Sequence, residues 1–477
     1  MKKAKTALAI CTALSSFAAI AQDDAKVPTA IETKPTQPNI VYILADDYRY
    51  DFLSGKGHEF VKTPNIDRLM EEGVSFDNAF VTSSLSSPSR ASMITGLNPQ
   101  QHGVQNNFTK WDNKNVTYFE YLKKAGYQTA FIGKWHMPGG LPALRGLDEY
   151  ISFEWMHGQG DYYGTPYIAN GVELDYGVAP MDGIEMNGYI TDELTQMNNK
   201  FMENSVAAGK PFSVYLSHKA VHLPMIPDEE AKGRHKDQKI TLPEGSTSWA
   251  SMTDSMFKHT MFTTIEGKIK DYAETAEALD QQIGVVLDKI DELGIADNTI
   301  VIFAGDNGYM WGEHRLIDKR WAYEESMRIP FIVRYPDGIK NPGTNKKGMM
   351  VNIDLAPTLL DMAGIDIPDH MQGKSLKPIL DGEVESVRNE WVYKYFKDFP
   401  YPAPEQTALR TERYKLITFE TSKEDELYDL IADPEERHNL IDKSELNDIK
   451  ADLYARLDNQ VESIETPLSI KPVIKGE

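Results

Sequence analysis

Four stretches of the chain are apolar without the alternation of a half-exposed strand. They are 39–47 (NIVYILADD), 127–136 (YQTAFIGKWH), 211–222 (PFSVYLSHKAVH) and 298–308 (NTIVIFAGDNG). An unbroken apolar run is typical of a parallel strand with both faces covered. A helical pattern from about 268 to 293 carries its apolar residues on one face and stops at Gly294. Alternating strands and helices predict an α/β fold, with a large, mainly parallel central sheet flanked by helices.

After about residue 380 the pattern changes to short runs separated by turns. The runs are WVYKYF, ALRTERYKLITFE and DELYDLIADPEERHNL, and a helical pattern follows from about 444 to 464. Short strands joined by turns favour antiparallel pairing. We therefore expect a main domain over 39–380 and a smaller C-terminal α+β subdomain, with an antiparallel sheet, over 381–477.

The first residues have the pattern of an export signal. A basic start (MKKAK) precedes a short apolar stretch, and the sequence Ala19-Ile20-Ala21 offers a cleavage site. We predict a signal peptide over 1–21, a leader over 22–38, and a periplasmic or secreted protein. The apolar run is too short to predict membrane insertion. Cleavage removes Cys11, the only cysteine; lipidation at Cys11 is the alternative, although Ile10 fits poorly beside it.

Charge narrows the range of partners. The 477 residues carry a formal net charge of -22, which disfavours nucleic acid and anionic membranes as generic partners. An anionic ligand has to be held by local cations or by a metal ion.

Polar groups follow each of the four apolar runs. In an open α/β sheet, ligands bind outside the carboxyl ends of the strands, so these groups converge if the strands share one sheet and one direction. Oxygen ligands come from Asp46, Asp47, Asp306 and Asn307. Such ligands favour Ca²⁺, or less strongly Mg²⁺, over zinc. The alternative is that DD and DNG are simple turns.

Five cationic or titratable side chains could bind a compact tetraoxyanion beside that metal: Arg90, Lys134, His136, His222 and Lys319. Arginine provides a planar fork and lysine a point charge. Each of them, taken alone, could equally be a structural or solvated residue.

The segment SSLSSPSRASMITG, residues 83–96, joins a Ser/Pro cluster to a helix-compatible run. Within it, Ser86-x-Pro88-Ser89-Arg90 resembles the maturation motif of the type I sulfatases, here of the serine type. The resemblance continues in order through ADD, GKWH, HKAVHLP, DNG, GEH, DKRWAYEES, MQGKSLKPIL and ELYDLIADPEERHNL, and covers nearly all of the mature sequence. It implies an alkaline phosphatase-like fold and a sulfuric ester hydrolase.

The resemblance also implies roles for individual residues. A maturation enzyme that oxidises serine converts Ser86 to formylglycine, whose hydrate is the nucleophile. Asp46, Asp47, Asp306, Asn307 and the modified Ser86 hold Ca²⁺. Arg90 and Lys134 position the modified residue, His136 and Lys319 bind sulfate, and His222 protonates the leaving alcohol. His218 and His314 are the alternative general acids.

The expected substrate is a sulfated polysaccharide or oligosaccharide. The aromatic segment 154–167, which contains His157, could stack on sugars or could pack against the sheet edge. His218, Trp311 and His314 are further candidates for contact with the substrate. A phosphodiesterase or phosphonate hydrolase on the same fold, and a non-catalytic binder of sulfated glycans with unmodified Ser86, remain alternative hypotheses.

Overall fold

The centre of the molecule is a ten-stranded sheet whose middle strands are parallel, as the apolar runs predict. The structure is a computed structural model that describes residues 37–138, 145–153, 158–243 and 264–468. Its strands, numbered in chain order, are β1 (Asn39–Ala45), β2 (Val74–Phe76), β3 (Ala79–Phe80), β4 (Gln128–Gly133), β5 (Glu149–Ser152), β6 (Ile168–Ala169), β7 (Val172–Glu173), β8 (Phe212–Ser217), β9 (Thr299–Gly305), β10 (Met310–Trp311), β11 (Ile317–Asp318), β12 (Phe331–Arg334), β13 (Thr344–Lys346), β14 (Met350–Val351), β15 (Glu390–Tyr395), β16 (Gln406–Thr411), β17 (Tyr414–Phe419) and β18 (Glu426–Asp429).

The strand order of the large sheet is β13-β2-β12-β9-β1-β8-β4-β5-β6-β7. The five strands from β9 to β5 in this order are parallel to one another, whereas β12 runs antiparallel to β9, β6 to β5 and β7 to β6. All residues of β1 are buried. Val41 and Ile43 belong to the core on one face of the sheet, and Tyr42 and Leu44 to the core on the other. Burial on both faces explains why the run is apolar without alternation.

The helices cover both faces of this sheet. They are α1 (Pro64–Glu72), α2 (Ser86–Thr95), α3 (Pro99–His102), α4 (Tyr118–Lys124), α5 (Ile190–Ala207), α6 (Ile265–Glu292), α7 (Glu324–Met327), α8 (Leu355–Met362), α9 (Lys377–Leu380) and α10 (Asn447–Glu465). The predicted helix at 268–293 is confirmed as α6. It begins three residues earlier because the side chain of Thr264 accepts a hydrogen bond from the backbone N–H of Gly267, at 2.9 Å.

A separate antiparallel sheet, β15-β16-β17-β18, confirms the short antiparallel strands predicted after residue 380. Leu409 and Leu416 pack with Leu453 of α10, while Trp391 and Tyr393 belong to a core that also includes residues before α2. The described residues form one compact unit that begins at Gln37, so the boundary at 380/381 stays a prediction. Within the described ranges, no helix is long and apolar enough to cross a bilayer.

Candidate active site

Four neighbouring parallel strands, β9, β1, β8 and β4, end at the same edge of the sheet. Asp46 and Asp47 follow β1, and Asp306 and Asn307 follow β9, directly beside it. The backbone N–H of Asp47 donates to Oδ1 of Asp306 at 2.9 Å. The sheet therefore brings together two acidic turns that are about 260 residues apart in the chain.

The oxygen atoms of this cluster fit a hard cation. Asn307 Nδ2 donates to Asp47 Oδ1 at 2.7 Å. Asp47 Oδ2 and Asn307 Oδ1 are buried, and neither has a hydrogen-bond partner among the described residues. A buried oxygen without a partner is costly, and a divalent cation between the two turns would satisfy both atoms. A donor set of carboxylate and amide oxygens suits Ca²⁺ or Mg²⁺.

Each carboxylate of the cluster also contacts at least one cation, and Asp46 contacts both Lys134 and Arg90. Lys134, which follows β4, donates to Asp46, and Lys319 donates to Asp47. Arg90 contacts Asp306 Oδ2 through Nε at 3.0 Å and through Nη2 at 2.9 Å. Three carboxylates and three cations are thus paired in a buried space.

Burial raises the pKa values of these acids, whereas the neighbouring cations lower them. Burial disfavours ionisation of Asp46, but Lys134, His222 and Arg90 together hold its pKa well below the ordinary value. Burial raises the pKa of Asp306 to about 6, with the charge of Asp46 adding to the effect. The pKa of Asp47 is also raised by burial, although Lys319 opposes the rise. Asp46 is therefore the most strongly ionised of the three.

Ser86 begins helix α2 beside this cluster, and its Oγ lies 3.4 Å from Asp46 Oδ1. All residues of α2 are buried, and Gly96 ends the helix with a φ of 70°, a left-handed conformation that suits glycine. Ser89 Oγ donates to the carbonyl of Asp306 at 2.5 Å. Arg90 donates to the carbonyl of Lys134 at 2.9 Å. The first turns of α2 are consequently fixed to the ends of β9 and β4.

Two histidines face the cluster. His222 Nε2 lies 3.7 Å from Asp47 Oδ2, and His222 Nδ1 lies 2.8 Å from the carbonyl of Leu223. Since a carbonyl only accepts, Nδ1 carries a proton and Nε2 is left to face the cluster. His136 follows β4, is buried, and has a φ of 56°; its carbonyl accepts from Ser87 Oγ.

Sequence reasoning missed two residues beside His222. Gln159 Nε2 lies 3.2 Å from His222 Nε2. The buried Lys219 lies with Nζ 5.5 Å from the centre of the Tyr162 ring, and burial, with a contribution from Lys134, lowers its pKa to about 7. Lys219 lies in the run HKAVH, directly after β8, and a polar residue at a strand end is a pattern that predicts a place near the site. Gln159 lies in a loop, and no sequence pattern marks it.

The structure does not bring every candidate into the cluster. Trp311 is buried against Tyr272 and Tyr309, with ring centres 5.4 and 4.7 Å away. His314 stacks on Tyr323 at 3.8 Å and belongs to a second group of acids. His218 is fully buried, and its ring nitrogens have no hydrogen-bond partner among the described residues. His157 lies outside the described residues, and in the same aromatic segment Tyr162 and Tyr167 are buried in the core.

Comparison with known proteins agrees with this geometry. The Sulfatase family model matches residues 38–365, and a model of the N-sulphoglucosamine sulphohydrolase C-terminal region matches residues 312–463. The chain belongs to the sulfatase family and has the alkaline phosphatase-like fold that the sequence predicts.

Three similar proteins illustrate the match. An N-acetylglucosamine-6-O-sulfatase from Bacteroides thetaiotaomicron is 31% identical, over 91% of this chain and 88% of its own. An ulvan-active sulfatase from Formosa agariphila is 29% identical, over 96% of this chain and 87% of its own. A protein solved in complex with its substrate D-glucosamine-2-N,6-O-disulfate is 28% identical, with a TM-score of 0.80 over 92% of this chain and 100% of the other.

Proposed function

We propose that this sulfatase removes sulfate from a sulfated polysaccharide or oligosaccharide, with a formylglycine formed from Ser86 and a bound Ca²⁺. The observation that carries the proposal is the position of Ser86, which begins a buried helix against three carboxylates and three cations. The carbohydrate substrate is supported by the names of the similar proteins, which act on sulfated sugars or on ulvan.

The metal ligands in this proposal are Asp46, Asp47, Asp306, Asn307 and the modified Ser86. Support comes from the oxygen-only donors at the two strand ends and from the unpartnered oxygens of Asp47 and Asn307. When bound, Ca²⁺ supplies positive charge that stabilises anionic oxygens, including that of a nucleophile. Calcium accepts irregular sets of oxygen ligands more readily than Mg²⁺ does, which favours it here.

Formylglycine explains why the chain needs a modified residue at 86. An unmodified serine hydroxyl is a weak nucleophile without an adjacent base. As a hydrate, formylglycine supplies one hydroxyl for attack on sulfur and a second through which sulfate is released as the aldehyde is restored. A serine-oxidising maturation enzyme is therefore a required partner.

The remaining side chains divide the work on the ester. Lys319 and His136 bind sulfate oxygens, and Arg90 and Lys134 hold residue 86 and Asp46 in position. His222 protonates the bridging oxygen. Because its Nδ1 donates to the carbonyl of Leu223, the proton that it gives up comes from Nε2 of the imidazolium. Gln159 Nε2, 3.2 Å away, can donate to that nitrogen once the proton has left, and so orients the neutral ring.

Export and the domain boundary belong to the same proposal. The basic start, the short apolar stretch and the cleavage site support a signal peptide over 1–21, and hence a periplasmic or secreted enzyme. A catalytic domain over 39–380 and a subdomain over 381–477 are supported by the start of the small antiparallel sheet at Glu390.

The test uses protein from a host that oxidises serine. The peptide that contains SSPSR should lose the mass of about two hydrogens, as oxidation of an alcohol to an aldehyde requires. Release of sulfate should exceed release of phosphate from paired aryl esters, and a panel of sulfated oligosaccharides should identify the sugar. Ser86→Ala should fold but release no sulfate. Ser83→Ala is the matched control because its buried hydroxyl has no partner among the described residues. Full activity in Ser86→Ala would exclude the mechanism.

A further inference from the structure

Two loops border the site, and the first, which contains Asn107, is hydrogen-bonded to helix α2. Asn107 Oδ1 accepts a hydrogen bond from the backbone N–H of Ser87, at 3.1 Å, in the first turn of α2. The next residue, Phe108, leaves 57% of its surface exposed. Phe108 directly follows Asn107, and consecutive Cα atoms are about 3.8 Å apart. The hydrogen bond therefore keeps the backbone of Phe108 close to the first turn of α2, which contains Ser86.

The second loop, between β15 and β16, is attached to the residue after Lys319. The ring of Tyr401 lies 3.4 Å from the guanidinium of Arg320, and the buried Asp398 lies 3.5 Å from Arg320 Nε. Among the described residues, neither carboxylate oxygen of Asp398 has a hydrogen-bond partner. Between Asp398 and Tyr401, Phe399 is 79% exposed.

The two loops touch each other and form one rim. Asn106 Nδ2 donates to the carbonyl of Lys397 at 3.2 Å. Phe108 and Phe399 are the only phenylalanines among the exposed large hydrophobic residues of the described chain. A single exposed ring needs no explanation, but two on contacting loops that hold reaction groups mark a binding surface.

We propose that Phe108 and Phe399 form a carbohydrate subsite for the sugar next to the sulfated one. The inference rests on the proposed function and deepens it, since it makes an oligosaccharide rather than a lone sulfated sugar the preferred substrate. Aromatic rings pack against the C–H faces of a pyranose, while its hydroxyls need acceptors at the edge. Asp398 is fully buried and contacts Arg320 at 3.5 Å, so its role is to hold the loop that carries Phe399.

Local charge favours the same occupant. Lys110 is exposed two positions after Phe108, and no described carboxylate lies within 4.0 Å of it in an ion pair. The whole chain carries a net charge of -22, so a local cation is needed wherever an anionic ligand is held. A sulfated oligosaccharide carries anionic groups beyond the one removed, and Lys110 can bind one of them.

The experiment compares kcat/KM for three esters: 4-nitrophenyl sulfate, a sulfated monosaccharide that the wild type accepts, and a trisaccharide that contains this sugar. Phe399→Ala and Phe108→Ala should each lower kcat/KM for the trisaccharide by about 5- to 10-fold, mainly through KM, as loss of one stacking contact implies. The two smaller esters should be affected less than about twofold. Phe399→Trp should restore the trisaccharide rate, because a larger ring keeps the stacking face.

Controls separate the possible failures. Ile431→Ala removes a residue that is 73% exposed in the small sheet region and should leave all three rates unchanged. Equal losses on all three esters in the phenylalanine variants would overturn the subsite, because the rings would then only support the loops. No loss on the trisaccharide would overturn the subsite as well. If light scattering finds a dimeric wild type and monomeric phenylalanine variants, the rim is a contact between copies of the chain and the subsite is overturned. A wild type without activity on any sulfate ester would instead refute the proposed function.

Discussion

Two groups of buried or partly buried acids lie near the two ends of segment 306–325, and they differ in how their charge is neutralised. In the strand-end group, Asp46, Asp47 and Asp306 each contact at least one cation. In the second group, Glu313 pairs with Arg49 at 2.8 Å and Glu436 with Lys415 at 2.6 Å. Glu325 is left with the ring of His314, 4.0 Å away, and its Oε2 has no hydrogen-bond partner among the described residues.

The pKa values follow from this difference. Cations overcome burial at Asp46 and hold its pKa well below the ordinary value. At Glu325, burial and the charges of Glu313 and Glu436 act in the same direction and raise the pKa to about 8. At neutral pH Asp46 is therefore ionised and can help to bind a divalent cation, whereas Glu325 keeps its proton. Proximity of acids alone does not make a metal site; their ionisation and oxygen geometry decide it.

The largest expected effect comes from the strand-end group. Asp306→Asn should lose the bound metal and lower kcat/KM by at least about 10³-fold, because several kcal/mol of charge stabilisation are removed. Metal content measured by mass spectrometry, beside the rate of sulfate release, checks this. Glu325→Gln is the matched comparison and should keep its metal. Loss of metal in both variants would contradict the comparison, because the second group would then also contribute to metal binding.

Within the strand-end group, a second pair of variants sharpens the assignment. His222→Ala should lower kcat/KM for a sugar sulfate by about 10²- to 10⁴-fold but affect a nitrophenyl sulfate far less, since an acidic leaving group needs little protonation. Lys319→Ala should lower both about equally, because the sulfuryl group is common to them. If His222→Ala affects both esters alike, His222 is not the general acid.

The smallest effect is on stability in the second group. With a folded-state pKa of about 8, Glu325 keeps a proton that the unfolded chain releases above its ordinary value near 4.5, so the free energy of unfolding falls as pH rises through this window. Glu325→Gln should flatten that fall. At pH 8.5 its free energy of unfolding should exceed that of the wild type by about 2–3 kcal/mol, and its unfolding temperature should be higher. Thermal unfolding at pH 5 and pH 8.5 measures it. The exposed Glu383→Gln should behave as the wild type, and a parallel decline in Glu325→Gln would disprove the titration.

Much of the architecture could be predicted because burial on both faces leaves a plain signal. The four apolar runs became β1, β4, β8 and β9, and the polar residues that end them met at one edge, as parallel strands require. The position of Lys319 could be inferred only from resemblance. It depends on the short hairpin in which Met310 pairs with Asp318, and no pattern in the sequence encodes that register.

The same hairpin explains why the ring of Trp311 lies apart from the strand-end cluster. A tryptophan three residues after Gly308 reads as a residue at the mouth of the site. The hairpin instead turns its ring back against Tyr272, in the core. The contact between Gln159 and His222 joins a loop to a strand end across 63 residues. Such a contact depends on tertiary packing, which short-range patterns do not report.

The complete burial of α2 sets an order of events in the life of the chain. All ten residues from Ser86 to Thr95 are buried in the folded chain, where a second protein cannot grip the segment. In the proposed maturation, an enzyme that oxidises Ser86 has to act while this segment is still exposed, so that reaction competes with folding in time. A sheet built from parallel strands of distant sequence folds slowly, which lengthens the interval available. Conditions that speed folding or delay the oxidising enzyme should yield well-folded molecules that are permanently inactive.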